Sequence, residues 1–118
     1  RAHGLPIISM TYVFDIDGTI CTTTAGDYTL AEPIESRITL VNKLYDEGHT
    51  IIFQTARGMG RSGNSVMLSY QMFEVITRHQ LDSWGVKYHS LFLGKPSGDF
   101  YIDDKGIKDE DFFTNKAR

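Results

Sequence analysis

The sequence holds one cysteine, Cys21, one tryptophan and three prolines. A single cysteine cannot form an internal disulfide, so nothing in the chain asks for an oxidising compartment; a cytoplasmic location is the expectation. No apolar run approaches the roughly 18–20 residues of a membrane span, which excludes a membrane-embedded role. Basic charge is also scarce, with 12 Lys and Arg against 15 Asp and Glu and a net charge of −3. That balance, with no basic–aromatic stripe, weighs against a nucleic-acid partner. Repeats and internal linkers are missing too. What remains is ordinary: 118 residues, 41% hydrophobic and 23% charged, one domain's length with chain enough to bury a core.

Residues 1–9 read apart from the rest. They carry too short an apolar core for a secretory signal, and Met10 stands just before an obvious strand. The expectation is a tag or linker remnant ahead of a domain over residues 10–118, with the tail of an upstream domain in a longer, bifunctional chain as the alternative.

Thr11-Tyr12-Val13-Phe14, running into Asp15, reads as a short buried strand. The Thr-rich stretch Gly18 to Leu30, with turn residues Ala25-Gly26-Asp27, reads as a small hairpin projecting from its end. A helix follows, with Pro33 in its first turn, Ile34, Ile38, Val41 and Leu44 at helical spacing, and Gly48 at its stop. Thr50 to Phe53 is the unbroken apolar run of a strand covered on both faces. A loop with Gly58, Gly60 and Gly63 leads to a second helix over 65–80, with Leu68, Met72, Val75 and Ile76 inward. Strands at 88–92 and 100–102 and a short acidic helix at 107–113 complete the pattern. The order βαβαββα predicts an α/β fold, a mostly parallel central sheet with helices on both faces.

In such folds ligands sit beyond the carboxyl ends of the strands. Those ends deliver Asp15-Ile16-Asp17-Gly18-Thr19, then Thr55 and Arg57, then Gly94-Lys95-Pro96, then Asp103-Asp104. Four carboxylates brought together repel one another unless a cation sits among them. An oxygen-only ligand set at a site that also holds a phosphate favours Mg²⁺. Lys95 adds positive charge, and the constellation describes phosphoryl transfer, where positioning and charge neutralisation do most of the catalysis. Asp15 at the strand end suits attack on phosphorus. Asp17, two residues on and pointing the same way, suits proton transfer at the leaving oxygen, with Gly18 permitting the sharp turn.

These four stretches, in order, resemble the four motifs of the haloacid dehalogenase (HAD) phosphatase superfamily, and the likeness runs from about Met10 to Phe113. Thr55-Ala56-Arg57-Gly58 and Tyr101-Ile102-Asp103-Asp104-Lys105 are similar to the small HAD phosphatases of bacterial capsule and surface-polysaccharide genes. The resemblance implies a three-layer Rossmann-like core with Asp15 as the nucleophile that becomes an aspartyl-phosphate. It implies Asp17 as general acid/base whose carbonyl also binds Mg²⁺, and Thr55 on the phosphoryl oxygens. Lys95 would neutralise charge, Asp103 would ligate the metal, and Asp104 would join that site directly or through water. The intervals between motifs are filled by a loop or hairpin, one helix and one strand, leaving no room for a cap domain. An uncapped site suits a bulky substrate, or one covered by a neighbouring subunit, as in a homo-oligomer, or by a fused domain. A phosphorylated sugar or small phosphate ester in surface-polysaccharide synthesis is the expected substrate, and a nucleic-acid end or phosphoprotein the runner-up.

Rival readings are weaker. Gly58 to Gly63 fits G-x-G-x-x-G but follows the second strand and lacks the later acidic residue of a dinucleotide site. It reads instead as a mobile rim whose Arg57 and Arg61 meet anionic parts of the substrate. A phosphorelay receiver would carry its phospho-accepting Asp after a middle strand, where this chain has Gln54-Thr55. A silent HAD-like binding module would not need Asp15, Asp17, Lys95 and Asp103 together. His49, His79 and His89 read as structural residues, His79 on the inward side of its helix.

Overall fold

The computed structural model describes residues 8–116. Strand β1 is Thr11–Phe14, helix α1 Glu35–Asp46, strand β2 Thr50–Thr55, helix α2 Val66–Ser83, strand β3 Ser90–Leu93 and helix α3 Asp109–Lys116. The strands lie in the order β1-β2-β3 and are all parallel, with Phe14 opposite Phe53 and Phe53 opposite Leu91. The architecture is the expected α/β one, a Rossmann-like core whose strand ends gather on one edge. Of the terminal segment read as a remnant or upstream tail, residues 1–7 lie outside the described residues. Ser9 hydroxyl donates to the Gly48 carbonyl at 3.0 Å.

Strand alternation decides where the core sits. Phe14, Ile51, Phe53, Leu91 and Leu93 fall on one face and are buried, and Phe112 and Phe113 of α3 pack edge-on and stacked against Phe14. On the other face Val13 and Phe92 stay at least half exposed. In the central strand Ile52 is partly covered on that face, so the opening lies at the two outer strands. An apolar run does not distinguish a doubly covered strand from one whose second face is partly open.

Four boundaries and placements differ from the sequence reading. Pro33 precedes the α1 N-cap, Ile34, and pairs with Cys21 in an isolated antiparallel bridge instead of entering the helix. The segment after β1 is not a two-stranded hairpin. It is a flap held by single bridges from Cys21 to Asp17 and to Pro33, and by one 3-10 turn, Tyr28–Leu30, capped by Asp27. The strand expected at 100–102 does not form. Pro96 and Gly98 interrupt the chain there, and the Tyr101 hydroxyl donates to the Pro96 carbonyl while accepting from Gly98 N–H, which folds the segment back on itself.

The fourth concerns α2. It buries Ser69, Thr77, Gln80 and Leu81, while Leu68, Met72 and Val75, expected inside, are exposed, Val75 at 82%. His79 is exposed as well. The reason is a buried cation beneath the helix, described below, which draws the polar stripe inward. His49 and His89 are structural as expected: each Nδ1 accepts a backbone N–H, from Met10 and from Ile51, at 3.0 Å.

Candidate active site

Asp15 leaves the end of β1, and Ile16 behind it is fully buried, so the carboxylate is fixed at the strand's rim. Ile16 N–H donates to Asp15 Oδ1 at 2.8 Å. Gly18, at φ +79°, makes the turn that returns the chain, and Gly18 N–H bonds to the Cys21 carbonyl at 2.9 Å. β2 ends at Thr55, which is buried and whose Oγ1 accepts Arg57 N–H at 3.1 Å. β3 is followed by Gly94 and Lys95, and Lys95 N–H bonds back to the Thr55 carbonyl at 3.2 Å. Three strand ends thus converge. A pocket of about 210 Å³ lies there, lined by Asp15, Asp17, Thr23, Thr24, Tyr28, Thr55, Ala56 and Arg57.

Charge at this rim is arranged in two pairs. Lys95 Nζ stands 3.7 Å from Asp15 Oδ2, and 4.2 Å from the Tyr101 ring centre. Burial pushes the Asp15 carboxyl above its ordinary value of 3.8, against the opposing pull of Lys95 and of the Ile16 N–H. Asp17 is held quite differently. Arg57 Nε donates to its Oδ2 and Nη2 to its Oδ1, both at 2.9 Å, a two-point carboxylate–guanidinium contact. The Arg57 side chain is 0% exposed and that of Asp17 22%.

Arg57 therefore does not project from a rim toward substrate, and its expected role is corrected. A fully desolvated guanidinium must satisfy its donors inside the protein, and it does so with Asp17, Thr77 and Gln80, its face over the Tyr28 ring at 4.7 Å. The loop after it is also built, not a mobile rim. Gly58 N–H donates to the Tyr28 hydroxyl at 3.1 Å, and Arg61 bonds the Gly26 carbonyl and lies over Tyr28 and Phe73. Cys21 is buried, its thiol donating weakly to the Ile16 carbonyl and to Asp17 Oδ1 at 3.6 and 3.5 Å. Burial and the neighbouring Asp17 charge push that thiol up to about 12, which makes it an inert packing group.

Asp103 and Asp104 stand on the exposed stretch between β3 and α3. Asp103 accepts Lys105 N–H at 3.2 Å, and that bond holds its carboxyl below the ordinary carboxylate range. Among the described residues no three His, Cys, Asp or Glu side chains gather as a metal centre would require. Of the four carboxylates expected around Mg²⁺, Asp15 and Asp17 share the pocket, and Asp103 and Asp104 are not among the residues that line it. The strand expected to carry Asp103 to the sheet edge is the one that does not form at 100–102.

The flap supplies what the sequence reading passed over. Thr23, Thr24 and Tyr28 line the pocket, and Thr24 Oγ1 is buried with no hydrogen-bond partner among the described residues. The run of threonines after Asp17 was the available signal. Nothing in hydropathy separates a pocket threonine from a turn threonine.

No family model matches the chain, and no curated protein matches it. Among solved structures, a structural-genomics target protein from Vibrio cholerae is similar over 86% of this chain and 85% of its own, at 28% identity and a TM-score of 0.80. A second is D,D-heptose 1,7-bisphosphate phosphatase from B. bronchiseptica, solved with magnesium and phosphate. It is 14% identical, over 85% of this chain and 54% of its own, at a TM-score of 0.51. The chain shares its fold with a phosphatase. The core carries Asp15, Thr55 and Lys95 at successive strand ends.

Proposed function

We propose that the chain is a HAD-type phosphatase that hydrolyses phosphate monoesters through an aspartyl-phosphate on Asp15. The observation that carries this reading is the meeting of Asp15, Asp17 and Thr55 in one small pocket, with Lys95 Nζ 3.7 Å from Asp15. The Asp15 carboxylate attacks phosphorus through Oδ2, the ester P–O bond breaks, and Asp17, entering this step in its protonated form, gives its proton to the leaving oxygen. Asp17 then accepts a proton from water as that water attacks phosphorus and releases phosphate from Asp15. Thr55 Oγ1 and the unpaired Thr24 Oγ1 are positioned for phosphoryl or substrate oxygens, and Lys95 offsets negative charge. Asp17 Oδ1 accepts from Arg57 and weakly from the Cys21 thiol, and Oδ2 accepts from Arg57 with capacity for one more bond, so Oδ2 is the oxygen suited to proton transfer.

The substrate class in this reading is a phosphorylated sugar or a comparably small ester in surface-polysaccharide synthesis. The motif resemblance supports it, as does a fold shared with an enzyme named for a heptose bisphosphate. A pocket of about 210 Å³ is below the roughly 300 Å³ at which small-molecule sites usually begin, so part of a sugar phosphate would extend beyond it. A neighbouring subunit or fused domain would supply any cover. Mg²⁺ dependence belongs to the same proposal. Asp15 and Asp17 offer oxygen ligands, and Asp103 and Asp104 would have to be brought to them. Exhaustive chelation should silence hydrolysis and added Mg²⁺ restore it; full activity after chelation removes the metal from the scheme.

The test of the reading is phosphate release from an aryl phosphate, then from sugar phosphates, nucleotides and phosphopeptides, each with the Asp15→Asn variant as control. Turnover by wild type that disappears in the variant supports the covalent route. Equal turnover by both removes it, and a strong preference for phosphopeptides or nucleic-acid ends replaces the small-ester substrate with a macromolecular one.

A further inference from the structure

Behind the pocket, α2 presents polar side chains to the interior, three residues apart and so on one face of the helix. Thr77 Oγ1 accepts from Arg57 Nη1 at 3.1 Å, and Gln80 Oε1 accepts from the same nitrogen at 2.5 Å. The other end of the Gln80 amide, Nε2, donates to the main-chain carbonyl of Tyr28 at 2.7 Å. Tyr28 belongs to the flap and lines the pocket. Gln80 therefore touches the cation that holds Asp17 and the backbone of the flap at the same time. A buried amide is costly unless both of its ends are paired, and here both are.

Leucine or methionine at position 80 would pack this helix face without any of those demands. The amide has a different consequence. It fixes the far edge of a guanidinium whose near edge grips both oxygens of Asp17. A planar fork held at both edges cannot swivel, so the carboxylate it grips cannot swivel either.

We propose that Gln80 is a positioning residue: by holding Arg57 and Tyr28 together, it sets the orientation of the Asp17 carboxylate and locks the flap to it. This rests on the phosphatase reading of Asp17. Small misplacements of a proton-transfer group cost rate without a matching cost in binding.

Two variants separate the roles. Gln80→Met keeps volume and removes both bonds. Gln80→Glu keeps an acceptor for Arg57 and removes the donor to Tyr28. Gln80→Met should lower kcat on an aryl phosphate by about 10- to 100-fold and also raise KM, since the bond to the flap is lost with the bond to Arg57. Gln80→Glu should restore most of that kcat while raising KM, since the flap alone is released. A second readout does not depend on catalysis: the Arg57 side-chain Nε–H, assigned by Arg57→Lys, should exchange slowly with solvent in wild type and in Gln80→Glu, and quickly in Gln80→Met. Wild-type kcat and slow exchange in Gln80→Met would overturn the proposal. So would equal kcat losses in the Met and Glu variants, which mark a purely structural residue. If Gln80→Met fails to fold, Gln80→Glu decides alone: kept kcat with raised KM and slow Nε–H exchange supports the proposal, and lost kcat with fast exchange overturns it. If wild type itself releases no phosphate, the phosphatase reading falls, and the exchange data still decide whether Gln80 holds Arg57 on Asp17.

Discussion

Two carboxylates two residues apart have opposite surroundings, and single substitutions should tell them apart. Burial disfavours the Asp15 anion and raises its carboxyl above the ordinary value, against the opposing pull of Lys95 and the Ile16 N–H. Its raised value means that stability from this group is present below the ordinary 3.8 and is lost as pH rises through the folded value. Asp15→Asn should therefore match or exceed wild type in thermal stability above that window, while activity drops by about 10³-fold or more; parallel melting curves and aryl phosphate assays check both. Asp17→Asn should do the reverse to stability. It leaves the fully buried Arg57 without its anion, and broken buried pairs cost about 3–5 kcal/mol, less here because Asn keeps one acceptor. Urea unfolding of the two variants side by side measures the contrast. The DxD pattern made both residues legible in the sequence. Their different holding was not, because the partner of Asp17 comes from 40 residues away and its backing from a helix further on.

At the scale of elements, helical periodicity located α2 well and its face badly. Leu68, Met72 and Val75 form a good apolar stripe, yet the helix turns Ser69, Thr77 and Gln80 inward. Hydropathy scores a side chain alone, whereas a buried guanidinium rewards polar neighbours. The 94–108 stretch failed for a related reason: Phe100-Tyr101-Ile102 has strand composition, and the outcome was decided by the tyrosine hydroxyl's bonds to its own loop. Two elements invite direct tests. Gly94 has φ +98°, and a Cβ there would stand 2.9 Å from Val66 Cγ1. Gly94→Ala should cost about 1–3 kcal/mol in urea unfolding and lower activity by displacing Lys95. On the opposite side Arg37 of α1 meets Asp109, in the first turn of α3, at 2.7 Å and also lies over Phe113. The Arg37 guanidinium holds the Asp109 carboxyl below its usual value. That contribution is present above the ordinary carboxylate range and lost as pH falls through the lowered value, so acid unfolding should begin at higher pH in Asp109→Asn than in wild type. The difference should be about 1 kcal/mol or less, as for a partly exposed pair.

For the molecule as a whole, the sequence carried the class of fold and the three strand ends that meet. It did not carry the flap's internal bridges, the partly open sheet face with Val13 and Phe92, or the loop that stands in place of the strand expected at 100–102. Local spacing reports what a strand delivers; whether two deliveries arrive at one place depends on pairings that no short window contains. The inward-turned arginine has one further consequence, for inheritance. A lineage that abandoned Asp17 would strand a positive charge in a dry interior, and one that abandoned Arg57 first would leave its acid swinging free. Positions 17, 57 and 80 should therefore drift as a linked set among this chain's descendants, each change tolerated only in the company of the others.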